Sequence, residues 1–462
     1  MTTAADLLAA VRNHVVRQVP GLGVSVETAI ARALPGLRTN APGIPLGRAV
    51  TIVEPLLDRL RGMAGVSWAE PAGSLRRGED MVGDIEIVAP AADPRTVFDD
   101  VIALPGTGRS LYRSARRLYV LQDNVQIGIR CPAPEAGGAI LLHLTGSPGH
   151  VDHLAAAASE RGWHLEPDGL RRHDGTPPIA STEEEIYTVL GLPFVAPELR
   201  EGDDELDAAA HGTLPRLVTR QDIRGDLHMH TDWSDGRDSI AAMARTAAGL
   251  GYEYIAITDH AGHSAASRNL TRDDVGRQAE AVAAARASYP QLLILHGCEV
   301  DILPEGTLDF PDRLLEEFDI VLASLHDRAG HGADRLLRRY GTAMRHPLVS
   351  IITHPTNRLV PHRAGYELDW DQVIAWAVET GTVLEVDGAP SHLDMDGPLA
   401  RRAITAGAQI CIDSDAHRTD TLGRQMDLGL TMARRGWVEP RHVVNSRPIA
   451  DIRRLIAAKR SR

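Results

Sequence analysis

The sequence predicts a multidomain α/β protein whose C-terminal half is a barrel of parallel βα units. Three observations predict it. From residue 226 onward, short apolar runs rich in Val, Ile and Leu alternate with helix-like segments, the pattern of a parallel sheet joined by crossover helices. Nearly every one of these runs ends in histidine, aspartate or glutamate. Ahead of them, a 462-residue chain has room for one or two further domains.

The first run contains His228 and His230. Side-chain direction in a strand alternates with period two, so both imidazoles point to one side. Asp235 follows five residues later and can fold back onto that point. The next runs are 254–258, leading into Asp259 and His260, and 292–298, leading into Glu299. Residues 320–325 lead into His326, 349–353 into His354, and 410–414 into Asp415 and His417. Residues 382–386 complete seven strand candidates, one short of the usual eight. Segments 239–250, 272–288, 333–345, 371–380 and 398–406 read as the intervening helices. If the units close, the strand ends converge on one face, where barrel active sites sit.

Nine ligand-type residues then converge: His228, His230, Asp235, His260, Glu299, His326, His354, Asp415 and His417. That is too many for one ion, since zinc takes about four ligands and harder ions about six. Two or three divalent ions sharing carboxylates fit better. Mixed imidazole and carboxylate donors suit Zn, Mn or Fe and disfavour Mg or Ca. Clustered ions of this kind bind phosphate oxygens and ionise a water for in-line attack.

These residues resemble the PHP (polymerase and histidinol phosphatase) family across 223–462, with all nine ligand positions of that family filled. The resemblance implies a distorted (β/α)7 barrel, a trinuclear metal centre and phosphoester hydrolysis. Asp259, beside ligand His260, is a candidate orienting residue. Arg268 is a candidate for steadying the phosphate.

In the front half, Gly73-Ser74-Leu75-Arg76-Arg77 precedes Gly83-Asp84-Ile85-Glu86. Small Gly73 and Ser74 let backbone amides approach a triphosphate, with Arg77 as charge support. Asp84 and Glu86, two apart on a strand, share a face and can hold two divalent ions. This segment resembles the nucleotidyltransferase palm of family X DNA polymerases. Residues 125–130 resemble the strand bearing the third catalytic carboxylate, and Thr145-Gly146-Ser147 the nucleotide-contacting turn. Residues 184–202 resemble the end of the thumb in bacterial members, which also carry a C-terminal PHP domain. The domain order therefore matches over 43–462. The resemblance implies Mg or Mn with a dNTP in the palm, and DNA as partner.

The chain departs from that pattern at the position of the third aspartate, which is Gly128. Asp123 is an odd number of residues away and faces the other side of a regular strand. Gln126 and Arg130 share the face but are neutral and cationic. Glu86 is one methylene longer than the usual aspartate, and His143-Leu144 replace an aromatic pair. Misplacing metals by about 1 Å can cost on the order of a hundredfold in rate. Losing the activating carboxylate removes a further ~10²–10⁴. The expected palm binds nucleotide or DNA phosphate and is impaired for polymerisation.

The single lysine, Lys459, leaves 1–458 without an amine for Schiff-base lyase chemistry. The first 42 residues are too few for the DNA-binding domain that precedes the palm in this family; Gly21 and Gly23 read as a turn between two helices. No apolar stretch reaches the roughly 18 residues of a membrane span, no signal pattern opens the chain, and three isolated cysteines imply no disulfide framework. A cytoplasmic protein is expected. Of the net charge of −13, −9 falls in 150–222. Arg109, Arg113, Arg116 and Arg117, interleaved with Tyr112 and Tyr119, form a basic-aromatic patch able to follow a phosphate backbone.

The expected organisation is a helical segment 1–42, palm 43–149 opened by helix 46–61, thumb 150–200, acidic linker 201–222 and PHP barrel 223–462. The expected function is metal-dependent hydrolysis of DNA, as a 3′–5′ exonuclease or 3′-end processing enzyme in repair, on gapped or single-stranded DNA. The alternatives are an active gap-filling DNA polymerase, a small-molecule phosphatase of the histidinol phosphatase type, and a non-catalytic DNA-binding adaptor.

Overall fold

Seven strands, all paired in parallel and in chain order, form the C-terminal sheet of the computed structural model: β1 Gly225–Asp226, β2 Tyr254–Ile257, β3 Leu293–Asp301, β4 Ile320–Ser324, β5 Val349–Ile352, β6 Val383–Asp387 and β7 Ile410–Asp413. The structure describes residues 10–33 except 12, and 43–461 except 108, 173, 175–177, 265, 267, 328 and 329. Continuations of β1 and β7 meet at the parallel bridge Met229–Ala416, where His230 N donates to Ala416 O and Asp415 N to His228 O. That junction brings the two sheet edges together as a nearly closed barrel. β2, β4, β5 and β7 are buried at every position, as expected of strands covered on both faces.

The intervening helices fall within one or two residues of the helix-like segments of the sequence, with ends set by caps. Ser239 lies outside the helix Ile240–Gly249 because its side chain accepts from Ala242 N. Thr271 and Asp274 form a capping box that opens Arg272–Ser288. Leu227, Tyr254, Leu295, Leu322, Ile351 and Cys411 fill the barrel interior, and Ile452 and Ile456 of the last helix, Ile449–Arg460, join the same core.

The front half contains a five-stranded sheet in the order Glu70–Pro71, Ile85–Val88, Val125–Arg130, Arg117–Gln122, Ser110–Arg113. Ile85–Val88 and Val125–Arg130 run parallel, pairing Glu86 with Gly128. The helix Leu46–Arg61 appears with the predicted bounds. Residues 148–199 add the helices Pro148–Glu160 and Glu183–Val189 and a hairpin, packed around Leu154, Leu170, Ile186, Tyr187 and Val195.

The stretch 201–222, read from its charge as a linker, is instead folded onto this core. Its helix Glu205–Ala210 carries a fully buried Glu205, whose carboxylate lies 2.7 Å from His150 Nδ1 and accepts from Gly202 N and Asp203 N. These three partners satisfy a charge that composition alone assigns to solvent.

Residues 1–44 and 45–462 are separate compact units. In the first, the turn of 3-10 helix Val16–Gln18 and the helix Val24–Ala33 flank the glycine turn, and Glu27 accepts from Arg17 N and Nε. Among the described residues, no helix is long and apolar enough to cross a membrane.

Candidate metal centre and palm site

The strand ends bring all nine predicted ligand residues into one pocket. His228 and His230 leave β1 fully buried, with their Nε2 atoms 3.0 Å apart. Asp415 Oδ1, beyond β7, is 3.0 Å from His230 Nε2 and 3.6 Å from His228 Nε2. Glu299, on β3, stands in the middle. Its Oε1 is 2.9 Å from His354 Nε2 and 3.8 Å from His326 Nε2; its Oε2 is 2.8 Å from His260 Nδ1. Asp235 folds back as expected, 3.3 Å from His417 Nε2 and 3.7 Å from His260 Nε2.

The two central carboxylates are held ionised against their burial. Burial opposes charge on Glu299, but the imidazoles of His260 and His228 outweigh it and hold the carboxyl well below its ordinary range. Asp415 is held down in the same way by His228 and His417. Conversely, burial opposes the imidazolium of His354 and His417, yet Glu299 lifts the first and Asp415 and Asp235 lift the second, each to about 9. His230 goes the other way, to about 3, through burial and through its neighbours His260 and His417.

The donor set fits divalent metal ions. His230 Nδ1 and His354 Nδ1 are buried without a hydrogen-bond partner, an arrangement native interiors avoid unless something else fills the site. Two imidazole nitrogens facing each other at 3.0 Å need a proton or a metal between them. Ligand atoms fall within 4.8 Å of one another in three overlapping groups: His230, Asp235, His260 and His417; His228, His230 and Asp415; His260, Glu299 and His326.

Several supporting residues escaped sequence reasoning. Glu385 on β6 faces His228 Nδ1 at 2.7 Å and accepts from His354 N at 2.6 Å. Asp301 faces His326 Nδ1 at 2.8 Å. Such contacts fix the tautomer and turn the other ring nitrogen to the pocket. The signal for Glu385 was present: Glu385 and Asp387 stand two apart at a strand end, like His228 and His230.

Asp259 orients a loop rather than the ring of His260. Its oxygens accept from Thr231 N and Oγ1, Ser234 Oγ and Gln278 Nε2, which fixes the turn that delivers Asp235. Arg268 is exposed and donates to Asp232 O at 2.8 Å on that same turn.

The palm residues take different partners from those expected. Asp84 is exposed. Glu86 accepts from Arg130 Nε at 2.8 Å and Tyr119 Oη at 3.0 Å, beside Gly128. Asp123 sits in the turn between strands, with φ +48. Gly73 opens a five-residue helix at φ +64, and Ser74 Oγ accepts from Gly83 N. Arg77 donates to Thr145 O and Glu79, and Arg76 bridges Thr145 Oγ1 and Glu183. Gly146 follows at φ +64, and Ser147 caps the helix Pro148–Glu160. Arg77 is thus engaged by protein, not poised in solvent. In the basic-aromatic patch, Arg116 donates to Ala91 O and Cys131 O, and Arg113 to Asp99.

Comparison with known proteins matches the thumb and the barrel. The DNA polymerase beta thumb model fits residues 140–201, and the PHP domain model residues 226–377. The DNA polymerase/3′-5′ exonuclease PolX of Bacillus subtilis (strain 168) is 33% identical over 453 residues, which is 97% of this chain and 79% of that protein. A probable phosphatase of Thermoanaerobacter sp. (strain X514) is 30% identical over 214 residues, 43% of this chain and 81% of that protein. Another, from Syntrophotalea carbinolica, is 29% identical over 202 residues, 42% of this chain and 79% of its own length. With the barrel, the thumb and near full-length similarity in agreement, the chain belongs to the bacterial family X DNA polymerases that carry a PHP domain.

Proposed function

We propose that this chain is a metal-dependent phosphoesterase of DNA repair in the cytoplasm, acting on DNA 3′ ends as a 3′–5′ exonuclease or end-processing enzyme. Its palm binds DNA or nucleotide without polymerising efficiently. The observation that carries the reading is the convergence of nine imidazole and carboxylate donors in one pocket at the strand ends. Two or three Mn, Zn or Fe ions, when bound there, supply charge for the phosphate oxygens and acidify a water. The residues set the geometry: Glu385 and Asp301 orient imidazoles, Asp259 fixes the Asp235 turn, and Arg268 places a cation beside it. A DNA substrate is supported by the thumb and palm, which share one compact unit with the barrel, and by the exonuclease name of the Bacillus subtilis relative. The impaired palm is supported by Glu86, which is engaged by Arg130 and Tyr119.

The test is a nuclease assay on 5′-labelled single strands and recessed duplexes with Mn or Zn, beside primer extension with Mg or Mn. Stepwise 3′ shortening that disappears in D415N, without templated extension, is expected. The similarity to probable phosphatases favours one second reading, hydrolysis of small phosphomonoesters. Turnover of p-nitrophenyl phosphate with no action on oligonucleotides would replace the DNA assignment.

A further inference from the structure

Beside the nine-residue centre lies a fourth group of ligand-type atoms, built from two residues that the centre does not use and from Asp415, which it does. One atom each from Asp387, His392 and Asp415 lies within 4.8 Å of the other two. Asp387 ends β6 and is fully buried. Its Oδ1 accepts from Ala389 N at 2.6 Å, while Oδ2 is buried without a hydrogen-bond partner. His392 lies five residues further on, with its ring stacked on that of His354 at 5.0 Å between centroids and its Nδ1 also buried without a partner.

The backbone around the group is fixed. Asp387 and Asp394 pair across the loop through their backbones. Arg358 Nε donates to His392 O at 2.9 Å, and Arg358 Nη2 donates to Leu393 O. The imidazole is therefore held at the wall of the pocket.

Two buried carboxylates side by side repel, and a buried oxygen without a hydrogen-bond partner is itself unfavourable. A bound cation removes both penalties at once. Imidazole with carboxylates is a zinc or manganese donor set, and three protein donors leave a coordination position for water or a substrate oxygen.

We propose that Asp387, His392 and Asp415 hold an additional divalent cation alongside those of the nine-residue centre. This rests on the reading of the barrel as a metal-dependent phosphoesterase. A strand end that contributes Glu385 to the support of His228 thus contributes Asp387 as a ligand two residues later, on the same side.

The experiment is elemental analysis of the full-length wild type, D387N and H392Q after loading with Mn or Zn and dialysis. Thermal melts establish folding. Each variant is expected to retain about one ion fewer per chain than wild type, and Co(II)-loaded H392Q to lose part of the visible absorption. His392 has no side-chain hydrogen bond among the described residues, so H392Q carries the test if D387N folds poorly. Equal, non-zero metal content in wild type and H392Q would overturn this inference alone. A wild type that retains no metal would overturn the phosphoesterase reading together with it.

Discussion

Glu86 lies across the face of Gly128. A Cβ built at 128 would meet the Glu86 Cδ, Oε1 and Oε2 each at 2.6 Å. The two residues are register partners on parallel strands, and Arg130 and Tyr119 hold the carboxylate in place. The place where the family X resemblance expects a third carboxylate is thus filled by Glu86, which is itself neutralised by an ion pair.

Restoring the missing aspartate alone should therefore fail. G128D must push Glu86 off Arg130, and overpacking of this kind costs about 1–3 kcal/mol. In E86A/G128D the new carboxylate inherits Arg130, and most of that loss should return. Urea unfolding of the four members of this cycle checks the claim. A G128D protein that is as stable as wild type, or that extends a primer, would refute it.

Glu385 should control metal affinity without touching metal. It holds His228 through Nδ1 and His354 through the backbone. Glutamine in its place offers one acceptor where two are used, and losing such support typically lowers affinity about 10–100-fold. Competition between E385Q and a chelator for Mn or Zn measures this. Unchanged affinity would leave Glu385 a purely structural residue.

Acid stability should depend on Glu183. Burial opposes its charge, but Arg200 and Arg76 outweigh burial and lower its pKa from 4.5. Nη1 of the fully buried Arg200 lies 2.6 Å away, and Arg76 Nη2 lies 2.8 Å away. Between the folded pKa and 4.5 the unfolded chain binds more protons, so stability rises with pH in that window. The contribution is complete above about 4.5 and fades as pH falls through the folded value. E183Q leaves Arg200 buried without its counter-charge and should lose about 3–5 kcal/mol at pH 7. Its deficit against wild type should narrow below pH 4, by urea melts; a constant deficit would contradict the linkage.

What was legible in the sequence follows from what each feature depends on. His228, His230, Glu299 and His354 could be read because each ends an apolar run, and strand ends converge whatever the details of packing. Asp387 is not legible as a ligand because the apolar run of the sixth strand ends at Val386, and His392 because it lies in a loop without period. Gly128 was legible as a departure from the pattern that the palm resembles. The capture of Glu86 by Arg130 was not, since it depends on which strands become neighbours, and spacing along the chain does not fix that. Glu205 was misjudged for a related reason: its acidic surroundings suggest solvent, whereas His150 and two amides from outside its helix bury it.

Arg358 should couple the front half to the barrel. Its Nη1 pairs with Asp80 Oδ2 at 2.6 Å, in the turn between the Gly73–Arg77 helix and the strand Met81–Val82, while Nε donates to His392 O. R358A frees a carboxylate on one side and two carbonyls on the other, and should destabilise by about 1–3 kcal/mol. Lysine keeps the charge but lacks the planar fork that reaches both sides, so R358K should recover only a minor part. If the pair acts as a link, D80N and R358A should couple by about 0.5–3 kcal/mol in a double-mutant cycle. Strict additivity would mean that Arg358 serves the His392 loop alone and that the contact with Asp80 carries no energy.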